Sequence, residues 1–383
     1  MNPSNSIKLP LSCDSLHAYI IDESLLLYSK KTQNVYGYEK GNAALFLQID
    51  ELSETLSFKN LMEHFSTVDT VLLKEMYDIA TGKESVGDIR YEADMDLGNY
   101  IKDDLHRTYY QVDGIVFAVH YPNESFSKYL HPVYAHMHVE KPSASTVVSV
   151  NFLQTNNLWG IQLNNTPVEM TDIPTARLGT YLQEKMMTSV YQSQPYLIAL
   201  HAASVERNGN VIIFPAVAES GKTTLTATLI KHGFKLFSDE STSLDHDGYV
   251  HPLPFCMNIK EGSWPVLEEK YPQLNTGDIH SRFDDQNIRF LPPENLHQGR
   301  QKASHIIFPK YIPGAETSIE TIGAREALEK ITEASYQVQD HMDEKKFELI
   351  IKNLITLPKY TLVYSNLDEA IACIDKVLEV PSS

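Results

Sequence analysis

The sequence has few cysteines and no long apolar run, and each shortage excludes a class of protein. The three cysteines, Cys13, Cys256 and Cys373, are far apart and form no C-x-x-C pair. This usage predicts reduced thiols in a reducing compartment. Nowhere do about 18 apolar residues run together, so no membrane span is predicted. The N-terminus does not have the shape of a signal peptide, and we expect a cytoplasmic protein.

Basic residues are also scarce. The 383 residues include 50 Asp and Glu against 32 Lys and Arg, which gives a formal net charge of −18. Such a surface repels the phosphates of nucleic acids and anionic membranes, so neither is an expected partner, although a local basic pocket is compatible with it. Hydrophobic residues make up 42 % of the chain, and its length predicts two or three domains with a substantial core.

The first unit is predicted at residues 14–90. HAYIIDESLLLYS indicates two short strands around Asp22, and NVYGYE indicates a third. GNAALFLQIDEL, KNLMEHF and VDTVLLKEMYDIATG predict three helices, of which Ser57 caps the second and Gly82 ends the third. Strands followed by short helices predict a small winged-helix-like unit.

Residues 91–193 predict a β-rich region. The runs IVFAVHY, YAHMHVE, TVVSVNFL and LWGIQLNN are typical of short strands separated by polar turns. A helix is predicted near residues 174–192, because Leu178, Leu182 and Met186 fall on one apolar stripe.

The third unit, residues 194–383, begins with a predicted hairpin. Asn208-Gly209 separates YLIALHAASVER from NVIIF, and this dipeptide favours a tight turn between two strands. The loop AVAESGKTT then joins the second strand to a helix predicted over residues 222–232, and the strand KLFSDE follows. The whole chain is therefore predicted to be an α/β protein.

The loop AVAESGKTT has residues that are suited to hold a phosphate. In such a loop successive backbone N–H groups point inward, and the N-terminus of the next helix adds positive potential. A lysine reaches the β- and γ-phosphates and a Ser or Thr hydroxyl binds magnesium. These roles fall to Lys222 and Thr223. The residues predicted to bind nucleotide are Ala216, Glu219, Ser220, Gly221, Lys222, Thr223 and Thr224.

Two residues depart from the usual glycine-rich pattern of this loop. Ala216 replaces the first glycine, and Glu219 occupies a position that is often glycine. Alanine tolerates a positive φ at a cost of roughly 1–2 kcal/mol, whereas the Glu219 carboxylate would repel a triphosphate unless it turns outward. The alternative interpretation is a strand-to-helix turn with an accidental Gly-Lys-Thr.

Asp239 and Glu240 end the strand predicted after the helix. Acids at this place can hold Mg²⁺ or accept a proton from a substrate hydroxyl. The alternative is a pair of solvated acids at a strand end, which is a common arrangement. His201, on the first strand of the hairpin, has the ordinary alternative of a packed or exposed histidine.

The run LHAASVERNGNVIIFPAVAESGKTTLTATLIKHGFKLFSDE resembles the core of HPr kinase/phosphorylase and its relatives. The likeness continues in MNIKEGSWPVL, FLPP, HIIFPKYIPGA and LPKYTLVYSNLDEA, so it covers roughly residues 190–378. It implies a P-loop kinase core of the HPr kinase and PEP carboxykinase type, with ATP and Mg²⁺. The resemblance assigns the catalytic roles to Asp239, His201 and Lys222, and the magnesium ligands to Thr223, Glu240 and Asp239. The arginine-rich segment of the bifunctional enzymes is missing, which implies a kinase without the reverse phosphorylase role.

The first unit resembles a second family. LLLYSKKTQNVYGYEKGNAALFLQIDE is similar to the PqqD-type fold, a winged-helix element that recognises leader peptides of ribosomally made natural products. That resemblance implies that a peptide adds as a strand along an exposed sheet edge, here near Val35 to Tyr38. The alternative is a small structural domain with no ligand.

Further basic and histidine clusters have ordinary alternatives. His136 and His138 would share one face of a strand and suggest a metal pair, but no acid or cysteine at firm spacing completes it. Lys260 could bind a phosphate or a substrate carboxylate. One residue of a later basic group could stabilise charge in a transition state; its members are Arg282, Arg289, Arg300 and Lys302.

These observations predict an ATP- and Mg²⁺-dependent kinase that phosphorylates a hydroxyl, most simply a serine, of a peptide or protein. Ala216 and Glu219 motivate the alternative of a non-catalytic nucleotide- or peptide-binding scaffold. A DNA-binding regulator built on the winged helix fits poorly with the acidic charge. The acceptor, the phosphate donor and the oligomeric state, which could be a homo-oligomer, stay open.

Overall fold

The residues that the structure describes form a mixed α/β protein, and their strands make up four sheets. The computed structural model describes residues 7–11, 15–30, 35–53, 55–81, 106–142, 147–155, 158–164, 166, 171, 173–216, 220–336 and 342–379. Gly82 and the other residues between 82 and 105, like Glu219, lie outside these ranges. Within them, no helix is both long and apolar enough to cross a lipid bilayer.

An antiparallel four-stranded sheet and three helices form the N-terminal part. The strands lie in the order β1 Ile7–Leu9, β2 Leu16–Ile21, β3 Ser24–Ser29 and β4 Val35–Glu39. The helices are α1 Ala43–Ser53, α2 Phe58–His64 and α3 Thr70–Ala80. Ser57 caps α2, as the sequence predicts, and the Asp69 carboxylate caps α3 by accepting from Val71 N and Leu72 N at 3.0 Å.

A five-stranded sheet follows, in the order β7-β5-β6-β8-β9. Its elements are β5 Arg107–Val112, β6 Ile115–His120, α4 Glu124–Tyr134, β7 His138–Val139, β8 Val147–Thr155, β9 Leu158–Leu163 and α5 Leu178–Ser193. The prediction of a strand over YAHMHVE is wrong for most of that run, because Tyr134 ends α4 and a 3₁₀ turn spans Ala135–Met137. Tyr134 and Met137 are both buried at i, i+3 spacing, so helical packing decides the local structure.

The C-terminal half contains a ten-stranded and a three-stranded sheet. Its first strands are β10 Tyr196–Leu200, β11 Ala202–Arg207, β12 Asn210–Pro215, β13 Lys235–Ser238, β14 Thr242–Asp245, β15 Tyr249–His251, β16 Met257–Lys260, β17 His280–Ser281 and β18 Asn287–Leu291. The later strands are β19 Gln301–Tyr311, β20 Ser318–Thr321, β21 Ser335–Tyr336 and β22 Lys359–Tyr364. The helices are α6 Lys222–Lys231, α7 Trp264–Leu267, α8 Ala324–Glu333, α9 Glu344–Ile350 and α10 Leu367–Glu379.

The large sheet has the order β13-β11-β12-β19-β15-β14-β10-β21, with β22 between β19 and β20. Strands β12, β19 and β22 run parallel, and the other pairs are antiparallel. The predicted hairpin is confirmed, since β11 and β12 are joined by Asn208 and Gly209 at φ of 54° and 85°. Strands β15 and β16 belong to different sheets, because β15 pairs with β14 and β19 while β16 pairs with β18. The hairpin-like pattern of the run YVHPLPFCMNI is therefore not realised.

The N-terminal sheet is buried on both faces. One face packs on its own helices through Leu25 and Phe46. The other face packs on the large sheet's helices through Tyr28 and Phe347, whose rings stack at 5.1 Å between centroids. Lys8 adds ion pairs of 2.9 Å and 3.1 Å to two glutamates of α9, Glu344 and Glu348. Strand β4 is the last strand in the order of this four-stranded sheet.

Helix α8 contacts both this sheet and the centre of the large sheet. At its first turn, Arg325 N donates to Ser24 Oγ at 3.0 Å. Beyond its last turn, the Ala334 carbonyl accepts a 2.6 Å hydrogen bond from His201 N.

A histidine between two carboxylates joins the five-stranded sheet to the large sheet. His251 Nδ1 lies 3.2 Å from Asp113 Oδ1, and its Nε2 lies 3.2 Å from Asp245 Oδ2. Tyr196 donates to Asp113, and Arg300 pairs with Asp245. Burial opposes charging of the ring, but the two carboxylates outweigh it and raise the pKa of His251 above its ordinary 6.5.

We expect this contact to make stability depend on pH. Because the folded-state pKa of His251 is raised, its stabilisation is complete below pH 6.5 and is lost as the pH rises through that folded pKa. His251→Gln should therefore flatten the pH dependence of the denaturant midpoint above pH 6.5. His246→Gln, at an exposed ring that contacts the Pro195 carbonyl, is the control. A profile unchanged in His251→Gln would contradict the assignment.

Candidate functional site

The site lies where β12 leads through a loop into α6. Ala216 is buried directly after the strand, and its N–H donates to the His201 carbonyl at 3.3 Å. Residues 217–219 lie outside the described residues, so Glu219 has no described position. The predicted helix over residues 222–232 is confirmed as α6, with His232 as its C-cap and Gly233 at φ 89°.

Gly221 sets the direction in which the chain enters α6. It is the N-cap residue and has a left-handed φ of 84°. Its carbonyl accepts from the Tyr364 hydroxyl at 3.1 Å, and the neighbouring Ser220 carbonyl accepts from Tyr311 N at 3.0 Å. The ends of β22 and β19 therefore fix the last residues of the loop.

Gly221→Ala is expected to destabilise the fold by more than a positive φ alone would cost. A Cβ there would meet the Tyr364 hydroxyl and would lie 2.9 Å from Tyr311 Cβ. Gly233→Ala is the matched control, because its φ of 89° is nearly the same and its Cβ would meet nothing within 4 Å. The control should lose about 1–2 kcal/mol, and Gly221→Ala should lose more. Equal losses, measured by denaturant unfolding, would contradict the steric argument.

Lys222 and Asp239 form the buried centre of the site. The Lys222 side chain is 6 % exposed, its Nζ donates to the Asp239 carbonyl, and it lies 3.9 Å from Asp239 Oδ1. Neither carboxylate oxygen of Asp239 makes a hydrogen bond of normal geometry with a described residue, although the Thr223 and Thr226 hydroxyls are close enough to oppose the effect of burial on its pKa. Burial raises the pKa of Asp239, and the Lys222 ammonium opposes that shift. The result is a buried carboxylate that binds a proton more readily than an exposed one.

Glu240 follows Asp239 directly after β13, and cations surround its side chain. Arg282 Nη1 is 3.7 Å from Glu240 Oε1. Burial opposes ionisation of this carboxyl, but Lys222, Arg282 and Lys260 outweigh it and hold its pKa below the usual range. Glu240 is therefore a carboxylate at neutral pH, next to the proton-binding Asp239.

The prediction that His201 lies on the first strand of the hairpin is wrong. The residue occupies the break between β10 and β11, where its Nδ1 is 2.8 Å from the Tyr336 hydroxyl and 3.9 Å from Glu240 Oε1. Burial and then the Lys222 charge lower the pKa of His201 to about 4. The ring is therefore neutral at pH 7 and can exchange a hydrogen bond with the tyrosine.

Thr223 and Thr224 lie in the first turn of α6, and both are partly buried. Thr224 Oγ1 lies 2.8 Å from Ser263 Oγ, in the turn that follows β16. The structure thus brings together all of the predicted site residues that it describes. They are Ala216, Ser220, Gly221, Lys222, Thr223, Thr224, His201, Asp239 and Glu240.

Two of the basic residues that the sequence analysis named lie at the site. Arg282 and Lys260 both act on the Glu240 carboxylate. The other three lie elsewhere: Arg289 stacks 4.1 Å over Trp264, while Arg300 and Lys302 lie over the Tyr249 ring. Sequence reasoning missed Tyr336, which follows α8 in no recognisable motif.

His120, His131, His136 and His138 are close in sequence, but they do not form a metal site in the part of the chain that the structure describes. His131 Nδ1 contacts the Tyr110 hydroxyl at 2.8 Å, His136 Nε2 contacts the Pro254 carbonyl, and His138 is exposed. His120 ends β6. Nowhere in the part of the chain that the structure describes do three His, Cys, Asp or Glu side chains come together as metal ligands.

The donors around α6 suit Mg²⁺ with bound phosphate. Mg²⁺ prefers oxygen ligands and is usually held by one or two carboxylates together with substrate phosphates. Thr223, Asp239 and Glu240 supply a hydroxyl and two carboxylates, and neither Asp239 oxygen makes a hydrogen bond of normal geometry with a described residue. The residues present therefore fit this ion when a polyphosphate completes its ligands.

Comparison of the chain with models of known protein families and with curated proteins finds no match.

Proposed function

We propose that the protein is an ATP- and Mg²⁺-dependent kinase with a P-loop core of the HPr kinase type. It would transfer the γ-phosphoryl group to a hydroxyl, most simply a serine, of a peptide or protein. The observation that carries this proposal is the Asp239 carboxylate. It is 1 % exposed, makes no hydrogen bond of normal geometry with a described residue, and lies 3.9 Å from a buried lysine at the start of a helix.

Lys222 and the N-terminus of α6 would bind the phosphates. The first N–H groups of a helix have no partner within the helix, and its dipole favours an anion there. Lys222 adds a full positive charge beside these groups. The left-handed Gly221 and its hydrogen bond to Tyr364 hold the entry into α6.

Asp239 would act as the general base. The acceptor oxygen forms a bond to the γ-phosphorus while the bond from that phosphorus to the β,γ-bridging oxygen breaks, and ADP leaves with the electron pair. The hydroxyl proton passes to Asp239 Oδ1 or Oδ2. Because burial raises the pKa of Asp239, its carboxylate is better matched to this task than an ordinary aspartate.

Glu240 and Thr223 would hold Mg²⁺, which neutralises phosphate charge when it is bound, and Asp239 would stay available to take the proton. His201 would orient Glu240 as a neutral ring, since its pKa of about 4 keeps it uncharged at pH 7. Tyr336 fixes that ring through the 2.8 Å contact with Nδ1.

The N-terminal part would recognise the peptide, as a winged-helix-like element of the PqqD type. Strand β4, which includes the predicted edge Val35 to Tyr38, lies at the end of its sheet and is followed by three helices. An extended peptide could add to such an edge through main-chain hydrogen bonds. This arrangement supports a role in the maturation of ribosomally made peptides.

A non-catalytic scaffold is the second candidate, favoured by Ala216 in place of the loop's first glycine. Calorimetry with ATP and Mg²⁺ separates the two, because the kinase must bind nucleotide. Mass spectrometry of candidate peptides incubated with the protein, ATP and Mg²⁺ then tests for a gain of one phosphoryl group. Peptide binding without nucleotide binding would support the scaffold.

A further inference from the structure

A partly buried lysine of the three-stranded sheet β16-β18-β17 has an ammonium group that solvent does not reach. Lys260 ends β16, and its Nζ is inaccessible to solvent and has no hydrogen-bond partner among the described residues. A buried ammonium with no partner is costly, whereas the same group bound to an anion gains a strong charge-assisted bond. The Lys260 side chain therefore indicates an anionic ligand at this position.

The backbone around Lys260 is held against α6. Ser263 Oγ lies 2.8 Å from Thr224 Oγ1 in the first turn of that helix. Two more hydrogen bonds hold the same turn, from Asn287 Nδ2 to Glu261 Oε2 at 3.0 Å and from Trp264 Nε1 to the Ile259 carbonyl at 2.9 Å. The turn that follows Lys260 is therefore fixed against the first turn of α6, and the Lys260 ammonium is one of the cations that hold the pKa of Glu240 below its usual range.

Of the two cations Arg282 and Lys260 that act on Glu240, Lys260 makes no hydrogen bond to a described residue. Arg282 has carboxylates on two sides, with Glu240 Oε1 at 3.7 Å from Nη1 and Asp284 Oδ1 at 3.5 Å from Nε. Thr180 Oγ1 also donates to the Ser281 carbonyl at 2.9 Å, which fixes the hairpin that carries Arg282. Lys260 has no comparable contact, so its ammonium can turn to a ligand without breaking an ion pair.

We propose that Lys260 is a further catalytic residue, whose ammonium contacts the phosphoryl group during its transfer. The inference rests on the proposed kinase function. As the bond to the leaving oxygen breaks, negative charge spreads over the three equatorial oxygens of the phosphoryl group. Lys222 meets this group from the helix side and Lys260 from the sheet side. A preorganised donor aimed at developing charge contributes to the rate rather than to ground-state binding.

A transition-state mimic tests this without a known acceptor. Calorimetry would compare binding of ADP·Mg²⁺ alone with binding of ADP·Mg²⁺ plus tetrafluoroaluminate, which mimics the phosphoryl group in transfer. Lys260→Met should bind ADP·Mg²⁺ within about 3-fold of the native protein but lose tightening by the fluoroaluminate of about 10²-fold. Lys260→Arg should keep part of that tightening, because the charge remains. Lys302→Met, over Tyr249 and away from the site, is the control.

The outcomes separate the two proposals. A native protein that binds no nucleotide would overturn the kinase function itself. The native protein could bind ADP while fluoroaluminate tightens binding equally in Lys260→Met, or tightens it in neither protein. Either result would overturn the role of Lys260 alone. Thermal melting shows whether the Lys260→Met variant is folded.

Discussion

Replacing Asp239 by asparagine is expected to lower the rate of phosphoryl transfer by about 10²–10⁴-fold while nucleotide still binds. Asparagine has nearly the same shape as aspartate but cannot accept the proton of the acceptor hydroxyl. The Lys222 ammonium keeps its bond to the backbone carbonyl of residue 239, so the phosphate side of the site is preserved. Mass spectrometry of a phosphorylated peptide, with calorimetry for ATP binding, measures the two effects separately.

The stability of Asp239→Asn provides a second readout. Because the folded-state pKa of Asp239 is raised, its ionised form destabilises the fold at pH values above the unfolded pKa. The variant should therefore melt at the same temperature as the native protein or higher at pH 7. Asp375→Asn, at a partly exposed carboxylate that pairs with Arg207, is the control and should keep full activity. Undiminished transfer by Asp239→Asn would remove this residue as the base.

Local signals in the sequence are sufficient to predict the hairpin, the helix and the strand around the site. Asn208-Gly209 requires two left-handed residues, and both have positive φ in the structure. Gly233 ends α6 for the same reason. The acids Asp239 and Glu240 follow β13 as predicted, because the run KLFS follows the glycine that ends α6 and places its leucine and phenylalanine in the core.

Contacts between distant parts of the chain could not be predicted in the same way. The sequence predicts His201 within a strand, yet the residue lies in a break between two strands. There its N–H donates to the Ala334 carbonyl, and its ring contacts the Tyr336 hydroxyl. These partners follow more than 130 residues later, and no local pattern links them to the histidine. Likewise, the sequence offered Arg282 among several cations, and only the fold of β17 and β18 brings it within 3.7 Å of Glu240.

The same limit explains the wrong strand over YAHMHVE. Alternation of apolar and polar residues fits a strand, but Tyr134 and Met137 are both buried in the core of the five-stranded sheet. The Asn123 side chain also caps α4 by accepting from Phe126 N at 2.9 Å. A capped helix and tertiary burial together outweigh the weak β-propensity of this run.

Lys222→Met is expected to weaken ATP binding by about 10–150-fold, the range for losing a hydrogen bond between charged groups. The lysine is buried beside Asp239, so no solvent-exposed cation can replace it. Methionine keeps the length and apolar stem of lysine, which limits the loss of packing. Calorimetry with ATP and Mg²⁺ gives the affinity, and the rate of peptide phosphorylation should fall by at least the same factor.

Lys231→Met is the matched control, because it lies at the other end of α6 and pairs with Glu294 at 2.6 Å near the surface. Its ATP affinity should equal that of the native protein, since the C-terminus of a helix does not attract an anion. If both variants bind ATP equally well, the nucleotide is not held at the start of α6. If Lys222→Met alone loses binding, the buried pair of Lys222 and Asp239 is part of the nucleotide site. The Asp239 carboxylate then lies beside the phosphates, where a base for the acceptor hydroxyl is needed.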